Sequence, residues 1–169
     1  MEKIYNTLPR VIAPSELIIN ADGSIFHLHL RPEQLADTII LVGDPARVEM
    51  IAKYLDEVEC RASNREFNSV TGSYKGKRMT VLSTGIGIGN IDISMTELDA
   101  LANIDFATRT VKSDFRQLTI LRLGTSGALQ PDIEVGDVVF ARTSVGFDGL
   151  LSYYAGRNDV CDLELEQAF

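Results

Sequence analysis

The chain alternates between two hydrophobic periods, and the alternation predicts its elements. From Thr38 to Gly43 the run Thr-Ile-Ile-Leu-Val-Gly is apolar and β-branched without a polar break. That is the pattern of a strand covered on both faces. A helix is predicted directly after it. Asp44 is suited to the N-cap, Pro45 to the first helical position, and Val48, Ile51, Ala52 and Leu55 recur at helical spacing. Three strand-like segments follow at about 57 to 63, 66 to 74 and 78 to 84, the last two joined by a Lys75-Gly76-Lys77 turn. Their closeness predicts antiparallel pairing.

Beyond Ser83-Thr84-Gly85-Ile86-Gly87-Ile88-Gly89, the positions Ile91, Met95, Leu98, Leu101 and Ala102 lay one apolar stripe along a second helix, with Asp92, Glu97 and Asp99 off it. Residues 105 to 117, with Arg109, Lys112 and Arg116, interrupt the pattern and read as a polar surface insertion. A strand is expected from Thr119 to Gly124, ending in the turn Gly124-Thr125-Ser126-Gly127, and a further strand from Asp137 to Val145. Residues 1 to 30 form an arm with a turn at Ala21-Asp22-Gly23-Ser24. Strands alternating with helices, some neighbouring strands antiparallel, predict a mixed α/β sheet with helices on its faces.

Composition narrows the classes of function. With 169 residues, 45% of them hydrophobic, the chain has enough apolar surface for one domain, here residues 1 to 169. A net charge of -8 argues against a protein held to nucleic acid or to an anionic membrane by a general positive field. It leaves small anions open, because these answer to local charge. No run approaches the roughly twenty apolar residues of a membrane span. Cys60 and Cys161 stand far apart, outside metal or redox spacing and with no secretory leader in view, and read as reduced thiols of a cytoplasmic protein.

Three places combine glycine, a backbone amide or hydroxyl, and arginine, the parts of a phosphate site. At Gly43-Asp44-Pro45-Ala46-Arg47 a helix starts where a buried strand ends, so an anion could approach the bare backbone with Arg47 folded over it. The same residues also make an ordinary capping turn with a solvated arginine. In Leu121-Arg122-Leu123-Gly124-Thr125-Ser126-Gly127 a guanidinium stands between apolar neighbours. If buried, it requires a carboxylate or an anionic ligand. Asn64-Arg65-Glu66-Phe67 offers a third arginine, or simply an exposed ion pair. Gly85 to Asn90 falls short of a dinucleotide fingerprint, and neither a phosphate loop nor a nucleophile elbow is present. His27 and His29 have no cluster of further ligands around them in sequence, so no metal is expected.

Taken in order, these segments resemble the uridine phosphorylase branch of the nucleoside phosphorylase family, from about Phe26 to Tyr154. The resemblance is carried by Phe26-His27-Leu28, Gly43-Asp44-Pro45 with Arg47, Arg65-Glu66-Phe67, Ser83-Thr84-Gly85-Ile86-Gly87, Arg122-Leu123-Gly124-Thr125-Ser126-Gly127-Ala128 with Gln130-Pro131, Val135-Gly136-Asp137-Val138, and Phe147-Asp148-Gly149. It implies an α/β three-layer sandwich, a central mixed β-sheet flanked by helices. It also implies phosphate-dependent cleavage of a nucleoside to free base and (deoxy)ribose 1-phosphate, with inorganic phosphate as co-substrate and no cofactor.

By that resemblance Gly43, Arg47, Arg122 and Thr125 hold phosphate, Arg47 and Arg122 being the catalytic pair, and Arg65 reaches the phosphate of the neighbouring subunit. His27 crosses the same interface to the ribose 5'-hydroxyl, with Thr125 also on the ribose side, in a homodimer or higher homo-oligomer. Gly89, Asn90 and the insertion at 105 to 117 depart from the family pattern. The 169 residues also stop before the segments that recognise base and ribose hydroxyls, so a truncated or incomplete chain is expected. A hydrolytic nucleosidase of the same fold and an inactive binding or oligomerisation module are the competing readings.

Overall fold

A computed structural model describes residues 10–168; the first nine residues of the predicted arm lie outside them. By internal contacts the chain divides after Thr125 into two units, each taken by itself. The first is built on a five-stranded sheet of β1 (Thr38–Val42), β2 (Glu57–Asn64), β3 (Phe67–Tyr74), β4 (Lys77–Ser83) and β7 (Thr119–Leu123), in the order β2-β3-β4-β1-β7. Strand β1 lies between β4 and β7 and is parallel to both, while β2, β3 and β4 form an antiparallel meander. The sheet is therefore mixed. Its hairpins turn at Arg65-Glu66 and at Lys75-Gly76, where Lys75 (φ 49) and Gly76 (φ 76) both take the left-handed conformation that suits a two-residue turn.

Alternation along β1 explains why it lacks a polar face. Ile39 and Leu41 join a cluster with Ile25, Leu28, Leu30, Leu35, Phe67 and Leu82, capped by Leu98, Leu101 and Ala102 of α2 (Ile88–Asn103). Ile40 and Val42 point the other way, to Val70, Val81, and Val48 and Ala52 of α1 (Ala46–Ala52). One helix thus covers each face, and the α/β three-layer arrangement follows from two apolar stripes on opposite sides of one sheet. Helix α1 starts one residue later than its sequence suggests. Pro45, not Asp44, takes the N-cap position, and Asp44 Oδ1 accepts the Ala46 N–H at 2.8 Å in the turn that leads into the helix.

The segment from Phe26 to Leu28 is a turn, and His29 after it has a positive φ of 51. The neighbouring Ala21 to Ser24 turn forms as expected, with Asp22 Oδ1 accepting from Ser24 Oγ at 2.6 Å and Ile19 bridging to Ile25. The expected insertion at 105 to 117 overlaps a small hairpin of β5 (Ile104–Asp105) and β6 (Thr110–Val111). Its cations are occupied by backbone oxygens. Arg109 donates to the carbonyls of Ile12, Ala13 and Leu17, Lys112 to Ala102, and Arg116 to Leu35 while pairing with Asp37. A guanidinium has five donors, and these carbonyls lack ladder partners, so the hairpin clasps the arm.

The second unit, residues 126–168, contains α3 (Arg157–Val160), α4 (Leu163–Gln167) and a short 3-10 turn at Leu150–Tyr153. Asp162 caps α4 by accepting the Leu165 N–H at 3.0 Å. The strand expected from Asp137 to Val145 is absent among the described residues, and Val138 and Phe140 stand exposed. β-branched residues fit a pleated, half-buried surface, and without a ladder partner that preference does not produce a strand.

Gly72, buried in β3, tests the meander's close packing. A Cβ there would lie 2.2 Å from the Glu57 carbonyl oxygen, a backbone atom that cannot rotate away. Gly72→Ala is expected to destabilise the protein by about 1–3 kcal/mol in urea unfolding. Met50→Ala, on an exposed helical face, is expected to change stability by under about 0.5 kcal/mol.

Candidate active site

Three parallel strands end side by side, β4 at Ser83, β1 at Val42 and β7 at Leu123, and each runs into a glycine-containing turn. Peptide groups just past such strand ends have lost their ladder partners, which is why ligands gather at the carboxyl edge of parallel sheets. An open cleft of about 870 Å³ lies there. Gly43, Asp44, Pro45 and Arg47 line it from the β1–α1 turn, Arg122 from β7, Glu66 from the β2–β3 turn, and residues 85 to 88 with Asn90 and Ile91 from the approach to α2.

Gly43 marks the centre. A Cβ placed on it would stand 3.5 Å from Arg47 Nη2 and 3.7 Å from both Arg122 Nη2 and the Gly85 carbonyl oxygen. Two guanidinium groups 75 residues apart in sequence therefore converge above one bare backbone position. Arg47 is held in this orientation by a 3.2 Å bond from Nη1 to the Leu123 carbonyl oxygen. Arg122 stays over the turn because its guanidinium folds across Gly124, where a Cβ would come within 2.6 Å of Nη1.

Charge balance divides the arginines. Arg10, Arg31, Arg61, Arg78, Arg116 and Arg157 each pair with a carboxylate. Among the described residues Arg47, Arg65, Arg109, Arg122 and Arg142 have no carboxylate within ion-pair distance; Arg109 is taken up by backbone carbonyls, and of the others Arg47 and Arg122 line the cleft. The desolvation argument for Arg122 does not hold, since β7 is an edge strand and Arg122 is exposed. Its placement rests on convergence, not on burial. The one carboxylate on the facing wall, Glu66, is bound instead by Asn90 Nδ2 at 2.7 Å. A hydrogen bond from its own backbone N–H, then that from Asn90, holds its carboxyl below the usual carboxylate range, with weaker help from Arg65 and His27.

The other predicted residues fall elsewhere. Arg65 occupies the exposed β2–β3 turn with a positive φ of 53, a strained backbone for a residue with a side chain. The ion pair with Glu66, the alternative reading of this segment, is not formed among the described residues. Thr125, exposed beyond β7, does not line the cleft. His27 lines a separate recess of about 340 Å³ between the arm and α2. Glu97, spaced off the apolar stripe of its helix, was missed as its partner, as were Gly85, Glu66 and Asn90 as cleft walls. The positive φ of Gly85 (66) and Gly87 (102) explains the glycine-rich approach to α2.

Fold and cleft define a class: an α/β protein with an unpaired cationic site at the carboxyl ends of parallel strands. The chain belongs to the phosphorylase superfamily, whose family model matches residues 37–168. It is 40% identical over 154 residues to a uridine phosphorylase of Haemophilus influenzae, covering 86% of this chain and 56% of that protein. A purine nucleoside phosphorylase of DeoD type from Bacillus subtilis is 36% identical over 119 residues, 70% of this chain and 46% of that protein. Among solved structures, a Trypanosoma brucei nucleoside phosphorylase described as showing uridine phosphorylase activity superposes with a TM-score of 0.64 at 36% identity, covering 70% of this chain and 41% of that one. The chain spans about half the length of the curated relatives it matches.

Gly43 yields a direct test of the cleft. The hypothetical Cβ meets only ordinary van der Waals contacts, so Gly43→Ala is expected to unfold within about 0.5 kcal/mol of the wild type. Its methyl group would occupy the point where the two guanidinium tips meet. Inorganic phosphate binding, measured by calorimetry, is expected to weaken about tenfold.

Proposed function

We propose that the protein carrying this chain is a nucleoside phosphorylase, a pentosyltransferase with uridine as its preferred substrate. In this reading Gly43, Arg47, Arg122 and Thr125 hold inorganic phosphate. Arg65 and His27 serve the neighbouring subunit's phosphate and ribose 5'-hydroxyl, in a homodimer or larger homo-oligomer, and residues 1 to 169 belong to one phosphorylase-type domain of a cytoplasmic enzyme. The observation that carries the proposal is the meeting of Arg47 and Arg122 over Gly43 with no carboxylate partner among the described residues. Two like charges held together repel, and an oxyanion between them relieves the repulsion and satisfies both donors.

The chemistry needs little beyond that capture. Breaking the bond from C1' to the base leaves the bonding pair on the base and builds oxocarbenium character on the ribose. A phosphate oxygen held beneath C1' supplies the new bond, so positioning and electrostatics do the catalytic work without a protein nucleophile or a cofactor. The cleft volume of about 870 Å³ exceeds what phosphate alone requires and suits a nucleoside beside it. The names of the relatives support uridine over purine nucleosides as the first substrate to test.

Arg122→Ala is expected to lower phosphate-dependent release of uracil from uridine by about 10²–10³-fold, read by absorbance at saturating nucleoside with phosphate varied. Wild-type dependence on phosphate in that variant would contradict the assigned role. Release of base that is indifferent to added phosphate in the wild type would instead point to hydrolysis.

A further inference from the structure

The turn from Phe26 to His29 is gripped by side chains far away in sequence. Glu97, midway along α2, accepts the His27 backbone N–H with both oxygens at 3.1 Å and the Leu28 N–H at 2.9 Å. The same carboxylate lies 2.7 Å from His27 Nδ1. Asn64, the last residue of β2, donates through Nδ2 to the His27 carbonyl oxygen at 2.9 Å and approaches that of Phe26 at 3.4 Å. The ring is set between aromatic neighbours, edge-on to Phe26 at 4.7 Å and to buried Phe67 at 6.3 Å.

A carboxylate only accepts, so the proton in the short contact sits on His27 Nδ1. In a neutral imidazole with Nδ1 protonated, Nε2 has a lone pair and no proton. Nε2 makes no hydrogen bond among the described residues. The Glu97 side chain is 12% exposed and that of His27 26% exposed, so the inner nitrogen is committed while the ring still reaches the surface. Two backbone N–H groups already give Glu97 enough donors to serve as a turn cap, and the contact to Nδ1 is additional.

We propose that Glu97 is a positioning residue that locks His27 in the Nδ1–H tautomer, leaving Nε2 to accept a hydrogen bond from a substrate hydroxyl. The substrate side rests on the reading given above, in which that hydroxyl is the ribose 5'-OH. The consequence is selectivity: a nucleoside whose 5'-hydroxyl can donate is recognised, and one lacking it leaves Nε2 unpaired.

Two measurements test the proposal. The chain has two histidines, so ¹⁵N spectra of histidine-labelled protein at about pH 9, where an ordinary imidazole is neutral, resolve the tautomer of His27. A protonated Nδ1 with bare Nε2 is expected; a proton on Nε2 overturns the proposal. In turnover, Glu97→Gln keeps the side-chain shape and is expected to lower kcat/KM for uridine about tenfold while leaving 5'-deoxyuridine unaffected. The loss should not add to that of His27→Ala in the double variant. An equal fall for both substrates would mark Glu97 as a turn cap alone and overturn the proposal. If the wild type shows no phosphate-dependent turnover, the phosphorylase reading fails by itself, and the spectra still decide whether Glu97 sets the tautomer.

Discussion

Arg47 and Arg122 point at one spot, and among the described residues no carboxylate stands within ion-pair distance of either. Like charges separate unless the surrounding structure holds them, and here each is held by a feature of the backbone. Arg47 is anchored to the Leu123 carbonyl oxygen, and Arg122 lies over a glycine that leaves it room. The parallel pairing of β1 with β7 sets this distance, with Val42 opposite Leu123 and Leu41 opposite Arg122. Register matters because a one-residue slip would turn Arg122 to the other face of the sheet.

The rest of the first unit can be understood as support for that strand end. Both faces of β1 are sealed, by α1 on one side and α2 with the arm on the other, so its carboxyl end is the place where the strand meets open space. Gly43 and Gly85 keep the floor and wall of the cleft free of side chains. A Cβ on Gly85 would come within 2.8 Å of Glu66, so that glycine also lets the β2–β3 turn approach. Asn90 then binds the Glu66 carboxylate. The Arg109 clasp between hairpin and arm supports the recess where His27 sits, because the carbonyls it holds, Ile12 to Leu17, belong to the segment lining that recess.

Much of this was legible in residue order. The two-sided run at 38 to 43, the meander with its Lys75-Gly76 turn and the apolar stripe of α2 were all correctly placed by short-range periodicity. Membership of the phosphorylase superfamily was legible only as a resemblance, carried by several short motifs in order. The failures are instructive. The Asp137 to Val145 run has strand-forming residues but no ladder, and Arg122, flanked by leucines, looked buried although its strand lies at an edge. Apolar neighbours in sequence describe a side chain's company along the chain, not the layer above it.

Residue order alone determined most elements of the first unit and the chemical parts: glycines at strand ends and arginines able to hold an oxyanion. Those depend on interactions a few residues long, which propensity and period encode. Tertiary structure alone decided which parts meet. Arg47 lies four residues from Gly43, but Arg122 reaches the same point only through the strand order, and Glu97 reaches His27 across 70 residues only because α2 packs beside the arm. Such meetings depend on how distant segments cross and stack, and that is fixed by burying both faces of one sheet at once.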